Sequence, residues 1–589
     1  MKKIFAFVFL TFMIFTANAQ LNAKTIDYVK LDIVQSGTLR VTGFAQTANL
    51  SYYIPQEGVQ DVKVTADGDI TWKYIFDEFG NKLILVEWTK LTGIVNYRIE
   101  LVVENSAKHS SDKPVGTNDF YLKETNYIKI NDDIRQFAFP FEKSMKRAAE
   151  LTQFVYDYVT YDLSYVGKNA PSDQVLVERR GVCVEHANLL AALLRANDIP
   201  TRYVVGYAYS SVQNKFIGHT WVEVLAVDGT WVPFDPTWLE AGYLDATHVK
   251  SAALLDNSQI DTLTYMGGSI DWTRNEEQIN LMDHTEKSVT SISVTGINKT
   301  ASGSYGMIKA IVSANECTIT DLTANSCVNE RGTKQVDIQE SNRSLWICES
   351  KDVYWFFRTS GNNYICPVSV YDQTGGSAEF RVTVQGTSSQ QNLFISGPDT
   401  VGTNELFTLT PSSNGIFYSP EFGVHKPTDA GGVSGAWTLS VKSPGLYRFY
   451  LYADGSLYVK TVTVVQKKEF GLGVEAPTTT KLGATFDINV TIKNLLDAKT
   501  VMLAIKYTNE TIRRSLEIGK NGEKTLPFSL IANKEGLNDL VASVTGNSLA
   551  TQTVIINTPT ERTLLDNIFS AIGDFFSALF RAIGSLLGK

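Results

Sequence analysis

The stretch Arg179-Arg-Gly-Val-Cys-Val-Glu-His-Ala-Asn-Leu-Leu-Ala-Ala-Leu-Leu-Arg195 decides how this chain is read. Its second half is built from Ala and Leu, strong helix formers, and Asn197 and Pro200 end it, so a helix is predicted over residues 184–196. Gly181 is read as a sharp backbone turn just before the cysteine. Cys183 then falls at the first turn of the helix. Unpaired N–H groups and the helix dipole there stabilise a thiolate, and the same N–H groups can donate to an oxyanion. A lone cysteine in such a place is more often a packed core residue. The chemistry therefore depends on what else the chain supplies.

Two later blocks supply it. In Gly218-His-Thr-Trp-Val-Glu-Val224, strand alternation puts His219, Trp221 and Glu223 on one face. In Trp231-Val-Pro-Phe-Asp-Pro-Thr237, Asp235 ends a strand just before a proline. A histidine on one strand and an aspartate at the end of the next can face each other, so that the carboxylate fixes the imidazole tautomer. Thiol, base and orienting acid are the minimal equipment for covalent acyl transfer. Around these blocks an amphipathic helix is predicted over residues 142–159 and strands over 201–207, 219–225 and 230–234, an α+β domain spanning 126–272.

The blocks resemble the transglutaminase-like superfamily. They are Arg180-Gly181-Val182-Cys183, Ala187 through Arg195, Ile199-Pro200-Thr201-Arg202-Tyr203-Val204-Val205-Gly206-Tyr207, His219-Thr220-Trp221-Val222-Glu223-Val224 and Asp235-Pro236-Thr237. The resemblance implies a papain-like α+β core with Cys183 as nucleophile, His219 as general base and then acid, and Asp235 orienting His219. Asn197-Asp198 stands before Ile199 where the family commonly has glycine. No side-chain oxyanion donor can be assigned between Gln174 and Tyr165. Trp221, Trp231 and Trp238 are candidates to line a substrate cleft, with Trp221 the named substrate-binding candidate. His186 is read as a packed helix histidine rather than a metal ligand, and Glu185 as favouring the helix N-terminus.

Outward from this core the chain reads as β. At 589 residues it calls for about four domains. Short alternating runs predict a β domain over 20–125 and immunoglobulin-like sandwich modules over 286–390, 391–467 and 468–558. The module at 286–390 holds Cys317, Cys327, Cys348 and Cys366 as disulfide candidates. Loop closure slightly favours pairing the sequence neighbours, Cys317 with Cys327 and Cys348 with Cys366. Residues 559–589 carry one continuous apolar stripe, an amphipathic helix suited to a membrane surface or to packing on protein.

Lys2-Lys3, the apolar run that follows, and Ala17-Asn-Ala19 read as a signal peptide over residues 1–19, and the cysteines agree with a secreted or cell-surface location. A net charge of -9 without a basic run argues against nucleic acid as a partner. No cofactor and no metal is expected: C-x-x-C pairs and acidic loops at Ca²⁺-ligand spacing are missing. The expected function is that of an exported cysteine enzyme forming an acyl-thioester on Cys183 from a protein or peptide, with hydrolysis favoured over crosslinking. The rival is a non-catalytic surface adhesion or scaffold protein that keeps the domain for binding.

Overall fold

The computed structural model describes residues 21–559, apart from 139–140, 259–260, 331, 388–389, 426–434, 466–469, 496–497, 509 and 546–548. The expected signal peptide, and the C-terminal helix from residue 560 on, lie outside the described residues.

The described residues form two compact units, one from residue 21 through 397 with 409–437 and 448–461, the other holding 398–408, 438–447 and 462–559. The first unit begins with two very long strands, β1 (Ile26–Tyr53) and β4 (Lys82–Ser106), paired antiparallel along their length, with β2 (Val59–Ala66) and β3 (Ile70–Phe76) both on β4. Alternating apolar residues such as Leu31, Ile33, Ile99 and Leu101 are fully buried on one face.

The α+β core follows. Helices α1 (Asp132–Ala138), α2 (Met145–Tyr158) and α3 (Ser172–Glu178) pack around α4 (Cys183–Ala196), and the short strands β5 (Thr160–Tyr161) and β6 (Arg180–Gly181) pair in parallel before it. The sheet comprises β7 (Thr201–Ser210), β8 (Lys215–Leu225), β9 (Trp231–Asp235), β10 (Glu240–Ala241) and β11 (Val249–Leu254), in the order β10-β9-β8-β7-β11 and antiparallel throughout. Leu189, Leu190, Leu193 and Leu194 of α4 are all fully buried. Every residue from Glu185 to Ala196 is buried, and at about 1.5–3 kcal/mol for each buried leucine the helix is anchored firmly enough to fix where its N-terminus points. Its other end is tied down by Arg195. The buried guanidinium donates to the carbonyls of Lys123, Thr201 and Leu255, and burial lowers its pKa to about 10.

The chain then returns to the first sheet. Strands β12 (Thr262–Met266), β13 (Ser269–Arg274) and β14 (Gln278–Glu286) all pair with β1. Residues 262–272, expected within the α+β domain, therefore belong to the N-terminal sheet, a long-range pairing that local pattern does not carry.

Beyond residue 286, a four-stranded and a five-stranded sheet share one core that includes Ile308, Trp355, Phe357, Leu322 and Val368. Two disulfides join Cys317 to Cys348 and Cys327 to Cys366, one of the pairings the sequence left open and not the neighbour pairing that loop closure slightly favours. Strand register sets the bonds. Thr318 pairs with Ile347, so Cys317 and Cys348 are the next residues on facing strands, and Ser326 pairs with Val368, bringing Cys327 to Cys366.

The strands expected as one module over 391–467 divide between the two units. Within this stretch the chain makes a hairpin. Asp454 and Gly455, with φ of 44° and 78°, make the two-residue turn between Gly445–Ala453 and Ser456–Val465. In the second unit, residues 470–558 form a three-stranded and a four-stranded sheet around a core with Ile488, Val490, Leu503 and Ile505. The protein is thus mostly β, with one α+β core. Among the described residues no helix is long and apolar enough to cross a membrane.

Candidate active site

Cys183 is the first residue of α4, preceded by Val182 in extended conformation. The local backbone is set by Glu185, which is fully buried and reaches back over the helix start. One of its oxygens accepts from the Val182 N–H at 2.9 Å and the other from the Ala170 N–H at 3.0 Å. This is half of a capping box, with a carboxylate placed where the helix dipole favours it. The carboxylate crosses directly over Gly181, where an added Cβ would lie 2.2 Å from the Glu185 Cβ. Gly181 is therefore needed for close approach rather than for a turn; the left-handed residue that bends the chain is Arg179, with φ of 54°.

His219 lies on β8 opposite Gly206 of β7. Gly206 has no room for a side chain, because a Cβ there would meet the Val249 carbonyl of β11 at 2.1 Å. Asp235 ends β9 and is fully buried. The His219 Nε2 donates to Asp235 Oδ2 at 2.9 Å, while Asp235 Oδ1 accepts from the Thr237 N–H at 2.7 Å. With Nε2 committed to the carboxylate, Nδ1 is the nitrogen left for the thiol, and Cys183 and His219 lie close enough for each to shift the other's pKa.

The electrostatics run in one direction. Burial alone would raise the half-buried Cys183 thiol, but His219, through hydrogen bond and charge and with Thr220 contributing, holds it below its ordinary value. Burial opposes a charged His219, yet Asp235 and then Cys183 hold its pKa up to about 9. Burial also opposes an ionised Asp235, and the two imidazoles beside it, His219 first and then His248, depress it far below the usual carboxylate range. These shifts favour a thiolate–imidazolium pair beside an ionised carboxylate.

The aromatic surroundings differ from expectation. Trp221 is 1% exposed and packs with Val204 and Leu244, so it does not line an open cleft. Alternation put it on the face of His219, but β8 lies inside the sheet and this part of that face is covered. Trp238 instead lies flat on the His219 ring, centroids 4.0 Å apart and planes 5° apart, and it is half-buried. Trp231 meets Tyr121 edge to face and lies under Arg202.

Tyr161 pairs with Gly181 through β5–β6, is half exposed, and has its phenol pKa raised by burial and then by Cys183. Gln174 and Tyr165 both donate to Glu178, so neither stands free as an oxyanion donor. His186 is buried with its ring nitrogens against the carbonyls of Val182 and Val159, the packed role expected of it.

Among the described residues, three groups bring possible metal-ligand atoms within 4.8 Å of one another: Asp112–Cys317–Cys348, His219–Asp235–His248 and Glu240–Asp245–His248. In the first the sulfurs are joined as a disulfide, and in the other two the members already hydrogen-bond or pair ionically with one another. His248 was not singled out in the sequence; nothing local marks it, since only the fold brings it to Asp235.

An α4 N-terminus presenting a thiol to an imidazole and a carboxylate on adjacent strands defines a thiol–imidazole–carboxylate core. Residues 135–236 are a transglutaminase-like superfamily domain, carried within a larger multidomain chain. Over 136 residues the chain is 29% identical to a protein-glutamine gamma-glutamyltransferase of Pseudomonas aeruginosa, covering 20% of each protein. Over 139 residues it is 29% identical to an uncharacterized protein of Mycobacterium tuberculosis, covering 22% of this chain and 42% of that one. The chain thus spans a fifth of the length of the first relative and under half of the second. A solved protein of Cytophaga hutchinsonii, described provisionally as a cysteine protease, aligns over 44% of this chain and 94% of its own, with a TM-score of 0.34 at 18% identity.

Proposed function

We propose that the chain is an extracytoplasmic cysteine enzyme that breaks amide bonds in proteins or peptides through an acyl-thioester on Cys183. The contact chain Cys183–His219–Asp235 carries this reading. The Cys183 proton passes to His219 Nδ1, and the sulfur attacks the amide carbon. The C–N bond breaks as His219 returns the proton to the leaving nitrogen. Water, deprotonated by His219, then attacks the thioester, the C–S bond breaks, and the thiol is restored. Early α4 amides offer the tetrahedral oxygen its donors.

Water is the favoured acceptor because Cys183 retains exposure. An acceptor amine in its place would give a crosslink, the chemistry in the name of the Pseudomonas relative. The two disulfides support a location outside the reducing cytoplasm. The modules from residue 286 onward would serve as spacers or as surfaces that bring the core to its target.

The test incubates the full chain and a Cys183→Ala variant with a mixed peptide and protein panel, with and without a primary amine. Mass spectrometry reads cleavage, deamidation and crosslinks. Products that need Cys183 support the proposal and identify the acceptor. A panel unchanged by the wild-type chain would leave a binding protein.

A further inference from the structure

Asp235 is shared by two histidines. Its Oδ2 accepts from His219 Nε2 at 2.9 Å and also from His248 Nε2 at 3.3 Å, with the two rings 5.5 Å apart and inclined by 65°. His248 is fully enclosed. Trp221 and Trp238 stand edge-on to its ring at 5.3 and 5.5 Å. Its other nitrogen, Nδ1, lies 3.4 Å from Asp245 Oδ1, an oxygen that also accepts from Thr247 N and Oγ1. Glu240 accepts from the Asp245 N–H.

The loop that carries His248 is braced by the N-terminal sheet. Asn105 of β4 donates to the carbonyls of Ala246 and His248, and the Ala246 N–H donates to the Ile26 carbonyl. We propose that His248 is a positioning residue for the acyl-transfer site, gripping Asp235 at the same oxygen as His219 and keeping that carboxylate an acceptor.

The chemistry follows from counting protons. A lone His–Asp pair can pass its proton to the carboxylate and leave the imidazole in the wrong tautomer. Here Oδ2 faces two N–H donors and Oδ1 faces the Thr237 N–H, so a proton on Asp235 would have to point at a donor from every side. The carboxylate therefore stays ionised, His219 keeps its proton on Nε2, and Nδ1 is left to take and hold the thiol proton.

The charged and titratable groups facing His248 are consistent with this. Asp245 and Asp235 flank it, Glu240 lies behind Asp245 and His219 lies beside it. Glu57, Lys108, Glu223 and Lys250 line a small cavity on its outer side. Burial and then Asp245 push the Glu240 carboxyl up, so that of the acids near His248 it is the one whose charge is disfavoured, while Asp245 and Asp235 favour a charged His248.

This inference rests on the reading of Cys183, His219 and Asp235 as the reacting set, and its test needs no substrate. Alkylation of Cys183 by iodoacetamide is followed from pH 4.5 to 9 in the full chain and in the variants His248→Asn and His248→Gln. Asn keeps an amide near the Nδ1 position but removes the donor to Asp235, whereas Gln places a neutral N–H near Nε2. His248→Asn is expected to move the acid limb of alkylation up by about one pH unit, so that the rate at pH 6 falls about tenfold, and His248→Gln is expected to recover most of it.

An unmoved limb in His248→Asn, or equal shifts in both variants, overturns the assignment. Should the variants not fold, ring ¹⁵N signals of the wild-type protein decide. A His248 Nε2 that carries a proton supports the assignment, and a bare one sinks it. If these results hold while no substrate panel yields product, the proposed activity fails and the role of His248 stands.

Discussion

Trp238 lies face to face on His219, its ring centroid 4.0 Å from the imidazole and its plane within 5° of it. Since Asp235 and Cys183 favour the charged imidazole, the stack is a cation–π contact as well as a lid over one face of the base. Three edges of His219 are thereby occupied: Asp235 at Nε2, the thiol at the other nitrogen, and indole above. Trp238→Ala removes about 0.5–2 kcal/mol of this support. The expected result is a two- to thirtyfold fall in Cys183 alkylation at pH 6, with Trp238→Phe intermediate. Equal alkylation by all three proteins would show that the stack only packs.

The pH profile has a sign that the geometry sets. Because His219 and Thr220 lower the Cys183 thiol, thiolate should be present below pH 8.5, the usual thiol value. Because His219 is held to about 9, the imidazolium that must protonate the leaving amine is lost only as pH rises through that value. Asp235 is held too low to titrate in the working range. The kcat/KM profile should therefore have an acid limb below the usual thiol value and a base limb near 9. A rate that only begins to climb near pH 8.5 would mean an ordinary, unpaired thiol.

Gly181 and Glu185 make a tighter constraint than either residue suggests alone. A methyl group at 181 would sit 2.2 Å from the Glu185 Cβ and 3.2 Å from its Oε2, the oxygen that holds the Val182 N–H. Glu185 cannot yield without releasing both amides it caps, so the helix start must shift. Gly181→Ala is expected to cost about 1–3 kcal/mol of stability and to reduce Cys183 reactivity more than tenfold at pH 6, read by melting and by alkylation. Full reactivity in a folded variant would show that the helix start tolerates the displacement.

Much of the core was legible because its information is local. The cysteine with its glycine, the Ala/Leu helix, the histidine strand and the aspartate at a strand end each sit within about a dozen residues, and the helix boundary moved by only one residue, to Cys183. What could not be read is what depends on which strand lies beside which. Trp221 was assigned a role by alternation, yet alternation says nothing about whether a face is covered. Residues 262–286 return to a strand more than 200 positions earlier. His248 meets Asp235 only because β10, the following loop and β11 carry it under the same carboxylate, held there by Asn105 from another sheet.

The disulfides give the last prediction, and register rather than loop length decides it. Loop closure favours short loops only weakly, by about 0.6 kcal/mol per doubling, whereas a one-residue slip of a paired strand would turn its whole buried face outward. Thr318–Ile347 and Ser326–Val368 are fixed by the buried residues of that module, including Leu322, Ile347 and Val368, so the cysteines meet as Cys317–Cys348 and Cys327–Cys366. Peptide mapping of the unreduced protein should yield these two links, with Cys183 alone free to alkylate. Because Cys317 and Cys348 lie 31 positions apart, replacing both by serine should lower the stability of the module by about 3–4 kcal/mol. Recovery of a Cys317–Cys327 peptide would mean that the strands of this module pair in another register.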